Sequence, residues 1–212
     1  VVSEYDVDRD RVVVIAPGVD LNVWRDRDRT RSNDVPRILF VGGDLERKGG
    51  LMLIEAFKQL APGSAELHLV TRDRYDADVD GVVVHNGLTP NSPELLSLFQ
   101  TCDVFALPSQ AEAFGIAAAE ASASGLPIVA SNSGGLRDIV VDQVTGFALP
   151  DLTAERMAGR LGELVADKNL RTQMGKAARQ RAEELFDAEV NGGRVADLLL
   201  DVAGHVAVDL TS

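Results

Sequence analysis

Seven short apolar runs lie in the first 150 residues: Val12–Ala16, Ile38–Val41, Leu67–Val70, Val82–Val84, Val104–Leu107, Ile128–Ala130 and Gly146–Leu149. They are continuous rather than alternating, and most stop at glycine, proline or a polar residue. A strand that is apolar on both sides must be covered on both faces, and the usual cover is helices that connect parallel strands. The stretches between the runs supply them. Leu51, Ile54, Phe57 and Leu60 recur on one face, so Leu51–Leu60 reads as a helix. Pro93–Gln100 reads as another, with Ser92 as cap and Pro93 in the first position. Ala113–Ser124 and Gly135–Val141 follow.

Beyond Pro150 the pattern turns helical throughout: Ala154–Ala166, Leu170–Leu185 and Asp187–Val202. Gly192-Gly193 lies inside the last of these. Each interior glycine costs a helix about 1 kcal/mol relative to alanine, so a kink or break is expected there. The expected fold is α/β: a Rossmann-like parallel sheet with helices on both faces, followed by C-terminal helices. Residues 1–36 form a leading segment and linker, with a charged loop from Arg25 to Pro36. Residues 37–150 form the core and residues 151–212 the helices packed on it, in one domain overall.

The 33 acidic residues outnumber the 21 basic ones, for a net charge of −12. A nucleic-acid surface needs a basic stripe, so that class is excluded. One phosphorylated small molecule is not, because such sites use backbone N–H groups, helix dipoles and one or two local cations. No apolar run approaches the roughly 18 residues of a membrane span, and no basic, apolar leader opens the sequence, so neither a span nor a secretory signal is expected. The single cysteine, Cys102, suits a reducing compartment and reads as a small buried hydrophobe.

Ligands of open parallel sheets bind beyond the carboxyl ends of the strands. Four segments fall there. Gly42-Gly43-Asp44-Leu45-Glu46-Arg47-Lys48-Gly49-Gly50 allows close backbone approach, with Lys48 as a point charge for phosphate. It is neither a P-loop nor a dinucleotide fingerprint. Thr71-Arg72 ends the next strand. Glu112-Ala-Phe-Gly-Ile-Ala-Ala-Ala-Glu120 opens a helix at Phe114-Gly115-Ile116, whose first-turn N–H groups can meet a diphosphate or a sugar hydroxyl. The alanines of this helix read as core packing. Glu120 does not, because it stands among apolar residues where a carboxylate needs donors, such as two vicinal ribose hydroxyls. Glu112, in the loop before the helix, would lie nearer a sugar. Ser133-Gly134-Gly135 opens a second helix that could cradle phosphate or lie against a nucleoside, whereas Asp138 reads as structural.

Asp76-Ala77-Asp78 sits in a charge-rich stretch and reads as a solvated loop rather than a metal site. His68, His85 and His205 lack ligand spacing, so no metal site is expected. No Gly-x-Ser-x-Gly elbow occurs.

The Glu112-x7-Glu120 pattern, followed by Gly125-Leu-Pro-Ile-Val-Ala-Ser131 and Gly134-Gly135, resembles the donor-site signature of retaining glycosyltransferases of the GT-B fold, family 4. Ile15-Ala-Pro-Gly-Val-Asp20 is similar to the segment that leads into the family's C-terminal domain. Overall the resemblance runs from about Val12 to Val202. It implies a donor-binding domain whose parent enzyme transfers a sugar from a UDP-, GDP- or ADP-linked donor to an acceptor hydroxyl with retention, without a metal or other cofactor. By the same resemblance Glu120 binds the donor ribose and Glu112 contacts the transferred sugar, as the catalytic-site carboxylate. Phe114, Gly115 and Ile116 give backbone contacts to sugar and diphosphate, Lys48 contacts the phosphates, Gly87 and Leu88 lie near the base, and Gly42, Gly43 and Arg47 belong to the donor-binding set.

There are two departures. The family commonly has Val-Gly-Arg where this chain has Val41-Gly42-Gly43, which leaves that arginine's part in phosphate binding to Arg47 or Arg72. And almost nothing precedes residue 12, where the family carries an acceptor domain, so the chain reads as a fragment. The implied localisation is cytoplasmic, with contact at the inner membrane face if the acceptor is a lipid. Two alternatives stay open: a nucleotide-sugar-binding module without turnover, and a sugar-nucleotide epimerase of similar fold.

Overall fold

The computed structural model describes residues 7–27, 35–76 and 78–209, with side chains described as far as residue 203. Six strands, β1 (Arg37–Val41), β2 (Glu66–Thr71), β3 (Val82–Asn86), β4 (Val104–Leu107), β5 (Ile128–Ser131) and β6 (Gly146–Leu149), form one sheet in the order β3-β2-β1-β4-β5-β6. Every pairing is parallel. β1, β2, β4 and β5 are buried along nearly their whole length, which is why they read as unbroken apolar runs. β3, at the edge, is only partly buried.

The helices are α1 (Gly50–Phe57), α2 (Pro93–Thr101), α3 (Ile116–Ala123), α4 (Leu136–Ile139), α5 (Ala154–Ala166), α6 (Lys168–Leu185) and α7 (Ala188–Asp209). Right-handed crossovers run one way from β1 to β2 and the other way from β3 to β4 and from β4 to β5, which puts α1 on one face and α2 and α3 on the other. α5 packs on α1, and α6 packs on α3. The caps follow ordinary chemistry. Ser92 accepts from the Leu95 amide, Thr153 from Arg156, and Asp167 from both Asn169 and Leu170. Trp24 meets Phe99 edge-on, and Phe99 stacks on Phe105, so the leading segment is fastened to the α2 face.

Three expectations need correction. Val12–Ala16 is not a strand: it has no sheet neighbour, and Val13 and Val14 are exposed. The segment is held instead at the junction of α6 and α7. Asn191 donates to the carbonyls of Ala16 (3.1 Å) and Leu185 (2.8 Å), and Val19 exchanges backbone bonds with Phe186 and Ala188. Second, α7 runs through Gly192-Gly193 without interruption. Both glycines are exposed, and a Cβ at either would meet nothing within 4 Å, so they cost helix propensity without forcing a bend. Third, α3 begins at Ile116, not Ala113, because Gly115 takes the left-handed conformation (φ 98°) that caps it. Parts of the charged loop (residues 28–34), Ala77 and residues 1–6 and 210–212 lie outside the described residues. Among the described residues no helix is long and apolar enough to cross a membrane.

An uninterrupted α7 has a measurable consequence. Replacing Gly192 and Gly193 together by alanine should stabilise the chain by about 1–2 kcal/mol, which for a domain of this size raises the midpoint of thermal unfolding by about 2–8 °C. A lowered midpoint would show that the helix needs its glycines to bend.

Candidate functional site

The strand order reverses between β1 and β4, and a cleft of about 410 Å³ opens there. Its floor is apolar, with Val41, Val70 and Leu107 at the carboxyl ends of β1, β2 and β4. Of the residues predicted from sequence, Gly42, Gly43, Lys48, Leu88, Glu112, Gly115, Ile116 and Glu120 all line it. Arg47, Gly87 and Phe114 do not. Arg47 is exposed and pairs with Asp44 at 3.3 Å, and Phe114 packs edge-on against Phe186. Thr71 and Arg72, expected at the end of β2, line it too, as do Pro90 and Leu95, whose sequence carries no signal beyond their nearness to turns.

The loop after β4 is positioned by close backbone contact on two sides. Gly49 has φ 78°, and a Cβ there would come within 2.0 Å of the Pro108 carbonyl oxygen. At Gly134 (φ 51°) a Cβ would lie 1.7 Å from the carbonyl oxygen of Glu112, and the Gly135 amide donates to that oxygen at 3.2 Å. This corrects the reading of Ser133-Gly134-Gly135 as a phosphate cradle. The start of α4 is filled by the backbone of residues 112–114, and the serines bond inward, Ser131 and Ser133 both to the Ser109 carbonyl.

Within the cleft the charges are arranged unequally. Lys48 and Glu112 form an ion pair, and both side chains are largely buried. Ile116 and Ala117, the first residues of α3, line the cleft beside them, so the unpaired N–H groups and positive end of that helix open onto it. One turn further along, Glu120 is half-buried and has no hydrogen-bond or ion-pair partner among the described residues. Burial pushes its carboxyl up to about 7. It also borders a smaller neighbouring hollow lined by Asp20, Trp24 and Asn91.

The sheet brings together two histidines that their sequence positions do not suggest. His68 Nδ1 and His85 Nε2 are 3.0 Å apart, and His68 Nε2 lies 3.3 Å from Glu66, which also accepts from Arg37. Burial lowers both imidazole pKa values, so both are neutral at pH 7. Among the described residues no group of three or more His, Cys, Asp or Glu could hold a metal ion. Asp76 and Asp78 are exposed.

Residues 22–181 match the family model for glycosyl transferases group 1. The chain belongs to that family. It is 34% identical, over 230 aligned positions, to a D-inositol 3-phosphate glycosyltransferase from Arthrobacter sp. (strain FB24), covering 98% of this chain and 53% of that protein. Among solved structures it resembles sucrose-phosphate synthase from Thermosynechococcus elongatus (TM-score 0.79, 26% identity, 90% of this chain and 52% of the other). It also resembles Anabaena HepE in complex with UDP-glucose (TM-score 0.78, 20% identity, 94% and 60%). The fold is that of the GT-B glycosyltransferases. The chain spans about half the length of the curated relatives it matches.

The raised carboxyl of Glu120 sets a pH dependence. The unfolded chain titrates this group near its ordinary value of 4.5 and the folded chain near 7. Between these values the folded state binds more protons, so its stability falls as pH rises and the full penalty applies above pH 7. Glu120→Gln should therefore stabilise the chain at pH 8, by about 1–2 kcal/mol, and give no advantage below pH 4.5. Equal denaturation midpoints for the two chains at pH 8 would contradict the burial of an unpaired carboxylate.

Proposed function

We propose that this chain is the donor-binding, C-terminal half of a retaining, family 4 glycosyltransferase that uses a nucleoside-diphosphate sugar and no metal. The observation that carries the reading is Glu120: an unpartnered, half-buried carboxylate one turn inside a helix whose N-terminus opens on the same cleft. A carboxylate kept dry and unpaired is costly unless a ligand supplies donors, and a ribose diol supplies two at the right spacing. The helix N-terminus then lies where the diphosphate would follow the ribose. Leu88 borders the cleft on the side proposed for the base. The sugar would reach Glu112, whose carboxylate accepts from a hydroxyl, while Lys48 turns from Glu112 toward the diphosphate.

In this reading the leaving phosphate draws the proton of the incoming hydroxyl on the same face of the sugar, which retains the configuration. The α3 N-terminus and Lys48 stabilise the charge that develops on the departing diphosphate, the task a metal performs elsewhere. The acceptor would be held by a preceding domain. Val195, Leu199 and Val202, exposed at helical spacing along α7, offer an apolar stripe for it. The chain by itself, spanning half of its relatives' length, then binds donor without turnover. We further propose a cytoplasmic enzyme, in keeping with one buried cysteine whose thiol burial pushes up to about 12.

Calorimetric titration of the chain with UDP, GDP and ADP tests this. One of the three should bind saturably, and Glu120→Ala should weaken it by about tenfold or more, the loss of charged hydrogen bonds to the diol. Affinity should rise with pH through about 7, because the ionised carboxylate accepts both hydroxyls. A donor altered in the absence of any acceptor would favour the epimerase instead, and no binding of any of the three would overturn the donor-site reading.

A further inference from the structure

Two basic residues line the cleft, Lys48 and Arg72. Lys48 is engaged by Glu112. Arg72, by contrast, is exposed, and its guanidinium has no ion-pair or hydrogen-bond partner among the described residues. It lies directly over Gly43: a Cβ built on Gly43 would come within 2.7 Å of Arg72 Nε and 2.8 Å of a terminal nitrogen, and its three nearest atoms all belong to that guanidinium. The backbone that carries Arg72 is pinned on both sides. Asp73 accepts from the Leu45 amide at 2.7 Å, which ties the β2 end to the β1 turn. Asn86 donates to the carbonyls of Thr71 (3.0 Å) and Asp73 (2.8 Å), which ties it to β3.

We propose that Arg72 is the phosphate-binding cation of this cleft, and that Gly43, having no side chain, leaves the guanidinium the space it occupies over the β1 turn. The inference rests on the donor-site reading above and adds to it the residue that grips the diphosphate. A guanidinium presents two parallel N–H groups to two phosphate oxygens, which a lysine cannot. Arg72 is also the cation that is free to do so. Recruiting Lys48 costs its pair with Glu112, and Arg47 is turned out to Asp44 in solvent. Gly43 carries no left-handed φ, so alanine there strains no backbone and acts by moving the flexible Arg72 side chain.

The test compares five forms of the full chain (wild type, Arg72→Ala, Arg72→Lys, Gly43→Ala and the double variant Gly43→Ala/Arg72→Ala) against UDP, GDP and ADP and their parent nucleosides by calorimetry, with thermal unfolding as the control for folding. Arg72→Ala should weaken the bound nucleoside diphosphate by about 10–100-fold and leave the nucleoside unchanged, the scale of a charge-assisted bidentate contact. Arg72→Lys should fall between. Gly43→Ala removes no charge, yet it should weaken the diphosphate in wild type and have no further effect in the Arg72→Ala background, because its action is to displace the guanidinium.

Unchanged diphosphate affinity in Arg72→Ala, or a Gly43→Ala loss that persists without Arg72, overturns the proposal while the donor-site reading stands. If no nucleotide binds the wild type, the donor-site reading falls, and inorganic pyrophosphate decides the fate of Arg72 separately. Thermal stabilisation by pyrophosphate that disappears in Arg72→Ala upholds the phosphate site. No stabilisation of wild type, or stabilisation indifferent to Arg72, overturns it.

Discussion

The loop after β4 is held on both sides by backbone contact that only glycine permits, and the cleft depends on it. Gly49 brings the β1 turn against Pro108, and Gly134 brings the β5 turn against the carbonyl of Glu112. Between these two clamps the chain has little freedom to choose where Glu112 points or where α3 begins. The Lys48–Glu112 pair, the open helix N-terminus and the place of Glu120 on the cleft wall all follow from that placement. A Cβ at either glycine would meet backbone rather than a movable side chain. It would therefore shift the whole loop, and with it both carboxylates.

The α3 helix itself explains how a carboxylate can be kept so dry. Ala118, Ala119, Ala121 and Ala123 are fully buried and bring the helix close against β4, β5 and α6. Ser122, in the same helix, is satisfied by the Ala178 carbonyl of α6 at 2.7 Å. A helix of small side chains leaves little water near its buried side, and Glu120 looks out from the edge of that contact into the cleft. Its raised pKa is thus a product of packing and not of a neighbouring negative charge.

What the sequence disclosed depended on how local the cause was. Strands buried on both faces betray themselves by continuous apolar residues, and the cap at Ser92 acts over three residues, so these elements were legible. The Glu112–Glu120 spacing was legible for the same reason, since a loop and one turn of helix fix it. Val12–Ala16 has the composition of a strand, but whether such a run pairs depends on a free sheet edge, and here Asn191, 175 residues away from Ala16, captures it instead. The glycines at 134–135 and at 192–193 look alike in sequence. One pair is required by a neighbouring backbone and the other has open space around it, and only the fold distinguishes them. His68 and His85 meet across a β2–β3 register that no periodicity announces.

The two kinds of charge in the cleft imply a division of work. Lys48 and Glu112 neutralise one another, so the empty site bears little strain from them, and a ligand must compete with an existing bond to use either. Glu120 is half-buried without a partner, and Arg72, which is exposed, has no counter-charge among the described residues. A ligand that offered donors to the first and phosphate oxygens to the second would gain both contacts without breaking any. In the proposed complex, affinity would come from Glu120 and Arg72, at the two ends of a nucleoside diphosphate. The Lys48–Glu112 pair, which must open for its members to act, would be reserved for the step in which charge moves from sugar to phosphate. Interactions that strengthen only as that charge develops raise the rate rather than the affinity.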